Sequence, residues 1–394
     1  MMNSRERFLA TMRGELVERV PLWEFGYWSQ TLNRWYQEGL PHRVGHTGEM
    51  YEGSIFGEAL IWDPAVGARD QDVHMELGLD EGIQRVPINS FVSPPFERKL
   101  IDDEGDTVVE QDPRGHIVRN MKDRSSMPQI IKTLVETRED WEQVKAERLQ
   151  PTLTNRLPED WEAERKRLQY RNFPLCIGGI AAQCGFYHTA RYLLGAERLL
   201  YSFYDQAALV KDMMNYLADF WSSLYDQMLS QVDVDFAYWT EDIGFKTGPF
   251  IGPDTFREFL MEPYKKLTGT LRDHGVRIIL VDSDGDVRKL LPEFLKGGVT
   301  GMGPMEAAAS MDVWEIRQTY PRLQILGGVD KRTLAAGKEA IRRELNHKIA
   351  RTLPTGRYIP HIDHLVPPDV SWENFVFYRK RLEQLIIENR MDVK

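Results

Sequence analysis

The chain has 394 residues, of which 42% are hydrophobic, and its ten tryptophans and seventeen phenylalanines argue for a packed fold and against disorder. Its net charge of −10, without a lysine- or arginine-rich block, argues against nucleic acid or an anionic membrane surface as a partner. The two cysteines form no CxxC pair, which excludes a zinc site built from thiolates alone and suits a reducing cytoplasm, and no apolar run is long enough to span a membrane.

The N-terminal part of the chain is predicted to begin with a capped helix. Asn3 and Ser4 precede the helical pattern RERFLATMRG, and Gly14 closes it. The segment has no apolar core and no cleavage site, so no signal peptide is expected. A short strand is predicted at residues 20–25, and a helical and loop-like stretch follows to about residue 79.

The pattern changes between about residues 84 and 122. Turn sequences at 103–106 and 112–115 are flanked by stretches in which apolar and polar residues alternate. These features predict antiparallel β-hairpins that are inserted into the main fold or cover it. The next segment, 126–172, is charged and has a helical pattern.

A regular alternation of strands and helices follows. Strands are predicted at 175–179, 235–239, 277–281, 298–302, 323–328 and 358–360, each followed by a helical pattern. Repeated strand–helix units imply a parallel sheet covered by helices, and we expect an α/β fold, a (β/α)8 TIM barrel, formed as one domain by residues 1–394. An open doubly wound sheet is the alternative, although the nucleotide-binding motifs of that fold are absent.

Polar residues directly after these strands are the candidate site, because strand ends meet at the C-terminal face of a barrel. Asp282 and Asp284 lie two residues apart, so both side chains can face the barrel mouth as metal ligands or as a general acid and base. The alternative is that they cap the next helix. His361 and His364, together with carboxylates, are candidate ligands for zinc or another divalent metal, or His364 acts alone.

Other candidates have equally ordinary alternatives. Glu241 belongs to the site or to a charged turn, and Lys246 binds a substrate anion or is solvated. The aromatic side chains near the first strand stack on a planar substrate or belong to the core; they are Trp23, Phe25, Tyr27 and Trp28. Asp330 is as well explained by helix capping as by chemistry, and Cys176 is expected to be a buried small residue.

Five segments, in order, resemble the uroporphyrinogen decarboxylase superfamily. They are NSRERFLATMRGELVERVPLW, WTEDIGFKTGPFIGPDTFREFLMEPYKKL, HGVRIILVDSDGDVRKLLPEFLKGGVTGMGPME, ILGGVDKRTL and YIPHIDHLVPPDVSWENF. The superfamily includes decarboxylases of haem biosynthesis and methyltransferases that exchange methyl groups with corrinoid proteins. The resemblance implies that His364 lines the active site, that Tyr192 stands near the decarboxylase's active-site tyrosine, and that Glu241 replaces a serine.

The sequence departs from both branches at their functional motifs. The arginine-rich segment that binds the polyanionic substrate of the decarboxylases reads Glu24 to Trp28 here and contains no arginine. The H-x-C zinc motif of the methyltransferases reads Asp282-Ser283-Asp284. An acidic and imidazole set remains at the strand ends, consisting of Glu241, Asp242, Asp282, Asp284, His361 and His364.

Three functions are compatible with this set. The first is methyl transfer from a small methylated compound to a corrinoid on a partner protein, in which the carboxylates and His364 hold a metal or protonate the leaving heteroatom. The second is cofactor-free decarboxylation of a tetrapyrrole or aromatic acid, and the third is non-catalytic binding of a tetrapyrrole or corrinoid. A homodimer and a cytoplasmic location are further expectations.

Overall fold

The computed structural model describes residues 2–45, 51–52, 71–122, 128–179 and 185–389. In chain order, the strands of this part of the chain are β1 (Tyr27–Trp28), β2 (Tyr51–Glu52), β3 (Gln84–Arg85), β4 (Lys99–Asp103), β5 (Thr107–Gln111), β6 (Ile117–Met121), β7 (Gln129–Lys132), β8 (Leu175–Gly179), β9 (Phe236–Thr240), β10 (Gly244–Phe245), β11 (Gly248–Pro249), β12 (Ile279–Asp282), β13 (Gly301–Gly303), β14 (Gln324–Leu326) and β15 (Tyr358–Ile359).

Helices cover much of the remainder. They are α1 (Ser4–Arg13), α2 (Ser29–Glu38), α3 (Gln71–Leu77), α4 (Arg138–Arg148), α5 (Trp161–Gln169), α6 (Phe186–Leu194), α7 (Ala196–Asp205), α8 (Ala207–Leu229), α9 (Pro253–Phe259), α10 (Met261–Asp273), α11 (Leu291–Lys296), α12 (Val313–Thr319), α13 (Lys331–Ala335), α14 (Lys338–Glu344), α15 (Ala350–Thr352) and α16 (Trp372–Glu388). Short 3₁₀ turns lie at Ala307–Ala309 and Leu353–Thr355, and a π-helical turn lies at Leu345–Ile349. Within the described ranges, no helix is long and apolar enough to cross a bilayer.

The central element is a curled, entirely parallel sheet with the strand order β15-β14-β13-β12-β9-β8-β3. Its central strands β9 and β12 are buried along their whole length, as expected for a sheet with helices on its outer face. Helix α8 supplies part of that cover, and its buried residues recur at helical spacing from Leu209 to Leu229. The predicted α/β fold with its strand–helix repeats is therefore confirmed.

The predicted strand at residues 20–25 is not formed. Segment 20–25, predicted as a strand, has no strand assignment, and β1 instead pairs antiparallel with β2. The reason is that its backbone bonds to side chains and loops: Leu22 N donates to Asp80 Oδ2 over 2.7 Å, and Pro21 has no N–H to donate. The segment is bonded to the loop before β3, since Leu22 O accepts from Asp80 N, and the residue after it, Gly26, accepts from Val366 N in the loop after β15.

The predicted hairpin region is a four-stranded antiparallel sheet in the order β4-β5-β6-β7. The predicted limits of 84–122 are wrong at both ends. Gln84–Arg85 pairs with β8 in the parallel sheet, and the antiparallel sheet extends to Gln129–Lys132, within a segment predicted to be helical. Short strands such as β3 and β7 have too few residues to show their period, so pairing partners distant in the sequence decide their structure.

Candidate active site

Acidic and imidazole side chains collect where the parallel strands end. Glu241 and Asp242 follow β9, while Asp282 ends β12 and Asp284 lies two residues beyond it. Glu306 follows β13, Lys331 begins the helix after β14, and the residues after β15 include His361, Asp363 and His364. Parallel strands direct their carboxyl ends to one face of the sheet, so these residues share one mouth of the barrel.

Asp284 and His364 form the centre of this mouth. His364 Nε2 lies 3.7 Å from Asp284 Oδ2, and the two side chains are 29% and 44% exposed, so both are accessible from outside the barrel. The backbone N–H of Leu365 donates to His364 Nδ1 over 2.8 Å. Because Nδ1 accepts this bond, the proton of the neutral ring is on Nε2, which faces Asp284.

The surroundings shift the protonation of both groups. Burial, together with the charges of Asp242 and Glu306, raises the pKa of Asp284 to about 7. Burial and the positive charge of Lys331 lower the pKa of His364 to about 4. Near neutral pH the pair therefore consists of a partly protonated carboxylic acid and a neutral imidazole, and this imidazole cannot take the acid's proton on Nε2.

Asp282 lies deeper, between the mouth and the sheet. It is buried, and the Tyr238 hydroxyl donates to its Oδ2 over 2.7 Å. Burial and the neighbouring carboxylates of Asp284 and Asp242 raise its pKa well above the usual range. Asp282 therefore holds its proton more tightly than an ordinary carboxyl group, and its hydrogen bond to Tyr238 fixes its orientation.

Asp242 contributes the ionised carboxylate of the group. Its Oδ2 lies 3.3 Å from Arg191 Nη2 and 3.6 Å from His188 Nδ1, both on α6. Burial alone would raise the pKa of Asp242, but the neighbouring His188 and Arg191 side chains outweigh it and lower the pKa. The mouth thus combines charged and neutral carboxyl groups, an arrangement suited to proton transfer.

Helix capping explains Asp330 but not Asp284. Asp330 accepts a hydrogen bond from Arg332 N as the N-cap of α13, in agreement with the capping interpretation. The next helix after β12, α11, has Leu290 as its N-cap. The carboxylate of Asp284 instead lies 3.7 Å from His364 Nε2.

Two carboxylates near Asp284, Asp363 and Glu306, were missed by the sequence analysis. Asp363 is fully buried, and its two oxygens accept from Ala307 N at 2.9 Å and Lys331 N at 3.1 Å. Burial raises its pKa to about 6. Glu306 accepts from Gly285 N over 2.8 Å, which ties the loop after β13 to the loop of Asp284. The signal available in the sequence was their position directly after predicted strands.

Glu241, predicted as a catalytic residue and metal ligand, is directed toward a helix. Its carboxylate accepts from Tyr187 N at the first turn of α6 and, over 2.8 Å, from the Tyr264 hydroxyl. The side chain is fully buried, and burial raises its pKa to about 7 against these hydrogen bonds. A carboxylate at a helix N-terminus satisfies N–H groups that have no intrahelical partner, so its observed contacts are structural.

His361 is also buried, in contrast to His364. Its Nδ1 bonds to Ile362 O over 2.6 Å, and within the described part of the chain its Nε2 has no hydrogen-bond partner. Burial lowers its pKa to about 4. The Phe25 ring bridges the two histidines, with centroid distances of 5.8 Å to His361 and 5.5 Å, stacked, to His364. Of the predicted substrate-binding aromatics, Phe25 is therefore next to the central pair.

The backbone around Phe25 is fixed by a buried ion pair. Glu24 Oε2 lies 3.1 Å from Arg379 Nη1, and Glu24 Oε1 accepts from Phe25 N and from Ile362 N. Arg379 also donates to Trp23 O. The pair thus joins the first segment, the loop after β15 and α16, and it holds the stacked Phe25 and His364 in place.

The other predicted residues lie elsewhere. Trp23 is buried against Phe8 and donates from Nε1 to Glu81 O, and Tyr27 is buried against Trp35 and Phe375. Lys246 is exposed in the turn between β10 and β11.

Tyr192 packs against the hairpin sheet, where its hydroxyl lies 3.3 Å from Asp112 Oδ2. Cys176 is buried, as predicted, and Cys184 lies outside the described residues.

The five predicted metal ligands do not converge on one point. Among the residues that the structure describes, no group of three or more histidine, cysteine, aspartate or glutamate side chains is arranged to hold a metal ion. The physical reason is visible in two of the five, since Glu241 turns to α6 and His361 is buried beside Ile362. The described donor set therefore does not fit a metal held by Glu241, Asp282, Asp284, His361 and His364 together.

Comparison with known proteins agrees with this architecture. The sequence model of the family described as uroporphyrinogen decarboxylase (URO-D) matches residues 109–383, more than half of the chain, and the chain therefore belongs to this family. Among solved structures, a methyltransferase from Methanosarcina mazei has a similar fold, with a TM-score of 0.58 and 14% sequence identity over 98% of this chain and 99% of that chain. No curated protein matches the sequence.

Proposed function

We propose that the protein transfers a methyl group from a small methylated compound to a corrinoid on a partner protein, with Asp284 as the proton donor. One observation carries this proposal. Asp284 has a pKa of about 7 and lies beside a neutral imidazole at the accessible mouth of the barrel. A carboxylic acid that keeps its proton near neutral pH can protonate a leaving group.

The proposed reaction breaks one bond, transfers one proton and forms one bond. The bond between the methyl carbon and its heteroatom breaks, the electron pair remains on the heteroatom, and that atom takes the proton of Asp284. When bound at the mouth, the partner's corrinoid supplies the electron pair for the new bond to carbon. His364 Nε2, 3.7 Å from Asp284 Oδ2, carries its proton toward the carboxylate that results, and this N–H dipole stabilises the charge formed on it.

Charge at the mouth also favours a small substrate over a polyanion. Asp242 is ionised, and its basic neighbour Arg191 is already paired with it. At the position of the family's arginine-rich segment, Glu24 is neutralised by Arg379 from the last helix. Each carboxylate buried without a partner costs on the order of several kcal/mol. Decarboxylation of a polyanionic tetrapyrrole is therefore the less favoured alternative.

A methyl-transfer assay tests the proposal. The full chain is incubated with cob(I)alamin and in turn with 4-methoxybenzoate, anisole, trimethylamine and dimethyl sulfide, with and without added zinc, and the change in cobalamin absorbance is followed. We expect transfer from one of these donor classes, and a loss of about 10²- to 10⁴-fold in D284N, the range for removal of a general acid. D254N is the matched control, because Asp254 is exposed on α9.

Two results would contradict the proposal. One is the absence of transfer from every donor class with a well-folded protein. The other is equal activity in D284N and D254N, which would remove Asp284 from the reaction even if methyl transfer occurs. Metal binding stays a prediction, and elemental analysis of the same wild-type protein would test it.

A further inference from the structure

A tight turn of the hairpin sheet, residues 112–116, contacts helix α6 of the barrel. Asp112 Oδ1 accepts from Arg114 N and His116 N, both at 2.9 Å, which folds the turn. Asp112 Oδ2 lies 3.3 Å from the Tyr192 hydroxyl of α6. A single carboxylate therefore both shapes the turn and attaches it to the helix that follows β8.

This turn presents two side chains whose polar atoms are not satisfied. Among the described residues, the buried Nη2 of Arg114 and both ring nitrogens of His116 have no hydrogen-bond partner. The Arg114 guanidinium lies 5.1 Å from the centroid of the Tyr192 ring, and the His116 ring lies 4.1 Å from it. Buried donors and acceptors without partners are unfavourable, and three such atoms around one aromatic ring indicate a place for a ligand.

The charges of the cluster define what it would bind. Arg114 has no ion pair within the described chain, and its guanidinium remains charged at all ordinary pH values. Burial and the charge of Arg114 lower the pKa of His116 to about 4 against the opposing charge of Asp112, so His116 is neutral near pH 7. One unpaired guanidinium and one neutral imidazole N–H are complementary to a single planar anion with two acceptor oxygens, which is a carboxylate.

Helix α6 connects this cluster with the barrel mouth. Tyr192 lies four residues after His188, so the two side chains share a helix face with Cβ atoms about 5–6 Å apart. His188 Nδ1 is in turn 3.6 Å from Asp242 Oδ2 at the mouth. A small molecule held at the turn would thus extend toward the carboxyl groups that end β9 and β12.

We propose that Arg114, His116 and Tyr192 form a binding site for the carboxylate of a small ligand, and that this ligand is the substrate of the barrel mouth. The second half rests on the proposed function, whereas the binding site does not. In this proposal Arg114 of the hairpin sheet supplies the positive charge that the segment from Glu24 to Trp28 lacks.

Benzoate and its uncharged analogue benzamide are the probes, titrated into the full-length protein and followed by ligand-observed NMR. We expect wild type to bind benzoate more tightly than benzamide by about 10- to 100-fold, the range for a hydrogen bond to a charged group. R114M should lose this preference without a change in benzamide affinity. The control is R119M, because Arg119 lies in the same sheet but is exposed and paired with Glu104.

A second variant addresses folding. H116F keeps a ring against Tyr192 and removes both nitrogens, and it should weaken benzoate binding while its thermal unfolding matches that of wild type. Equal affinity of wild type for benzoate and benzamide would overturn the proposal, as would an equal loss in R114M and R119M. Benzoate binding needs neither a methyl acceptor nor Asp284. If the protein prefers benzoate but transfers no methyl group, the proposed reaction alone is refuted. If it transfers a methyl group but does not prefer benzoate, the carboxylate site alone is refuted.

Discussion

Glu241 allows the most direct test of how the site is built. Its carboxyl group is fully buried and bonded to the first turn of α6, and burial raises its pKa from 4.5 to about 7. In the unfolded chain the same group releases its proton near its ordinary pKa. Between about pH 4.5 and 7 the folded protein therefore holds a proton that the unfolded chain has lost, and folding stability decreases as the pH rises through this window.

The substitution E241Q removes this titration and keeps an oxygen that can accept from Tyr187 N. A shift from 4.5 to about 7 corresponds to about 3 kcal/mol, at 1.36 kcal/mol for each pKa unit. Relative to wild type, E241Q should therefore become more stable by about 3 kcal/mol between pH 4.5 and pH 8. Other buried carboxyl groups, such as Asp363, are present in both proteins, and their contributions cancel.

Urea unfolding of both proteins at pH 4.5 and pH 8 measures this difference. E262Q serves as the control, because Glu262 is exposed on α10 beside Lys265 and should show no such dependence. If the stability difference between E241Q and wild type is the same at both pH values, the carboxyl group is not buried as described. If zinc stabilises wild type but not E241Q, the prediction that Glu241 is a metal ligand would instead be supported.

Two further predictions concern the mouth and its support. Because the proposed reaction needs protonated Asp284, methyl transfer should fall as the pH rises through about 7, and a flat profile between pH 6 and 8.5 in the cobalamin assay would contradict this. The substitution R379M leaves Glu24 as a buried unpaired carboxylate and should cost about 3–5 kcal/mol in urea unfolding. R381M, at a partly exposed position of α16 that pairs with Glu388, should cost far less, and equal losses would refute the role of the Glu24–Arg379 pair.

The sequence predicted the parallel sheet well, because long apolar strands followed by helical patterns leave few alternatives. Strands β8, β9 and β12 lie within a residue or two of their predicted positions. The prediction of a strand at 20–25 was wrong, because Leu22 bonds to Asp80 and the following Gly26 bonds to Val366. Those partners are distant in the sequence, so no local period could show them.

The same division holds for the site. A strand-end position placed Asp284 and His364 at the mouth, and the structure brings them within 3.7 Å. Orientation was not predictable, because the direction of Glu241 depends on the start of α6, more than 50 residues earlier in the chain. The position of Arg114 depends on the docking of the hairpin sheet against α6, and tertiary contacts of this kind leave no periodic signal.

The distribution of positive charge links these observations to the choice of substrate. Arg379 is paired with Glu24, and Arg191 is paired with Asp242, so neither has its charge free for a ligand. Lys331 lies among Asp284, Asp363 and His364, where its charge offsets the carboxylates around it. Arg114 is the basic side chain beside α6 whose buried donor has no acceptor in the described chain. With one guanidinium that forms no ion pair in the described chain, beside the helix that leads to a mouth rich in carboxyl groups, the charge balance favours a substrate with a single carboxylate over a polyanion.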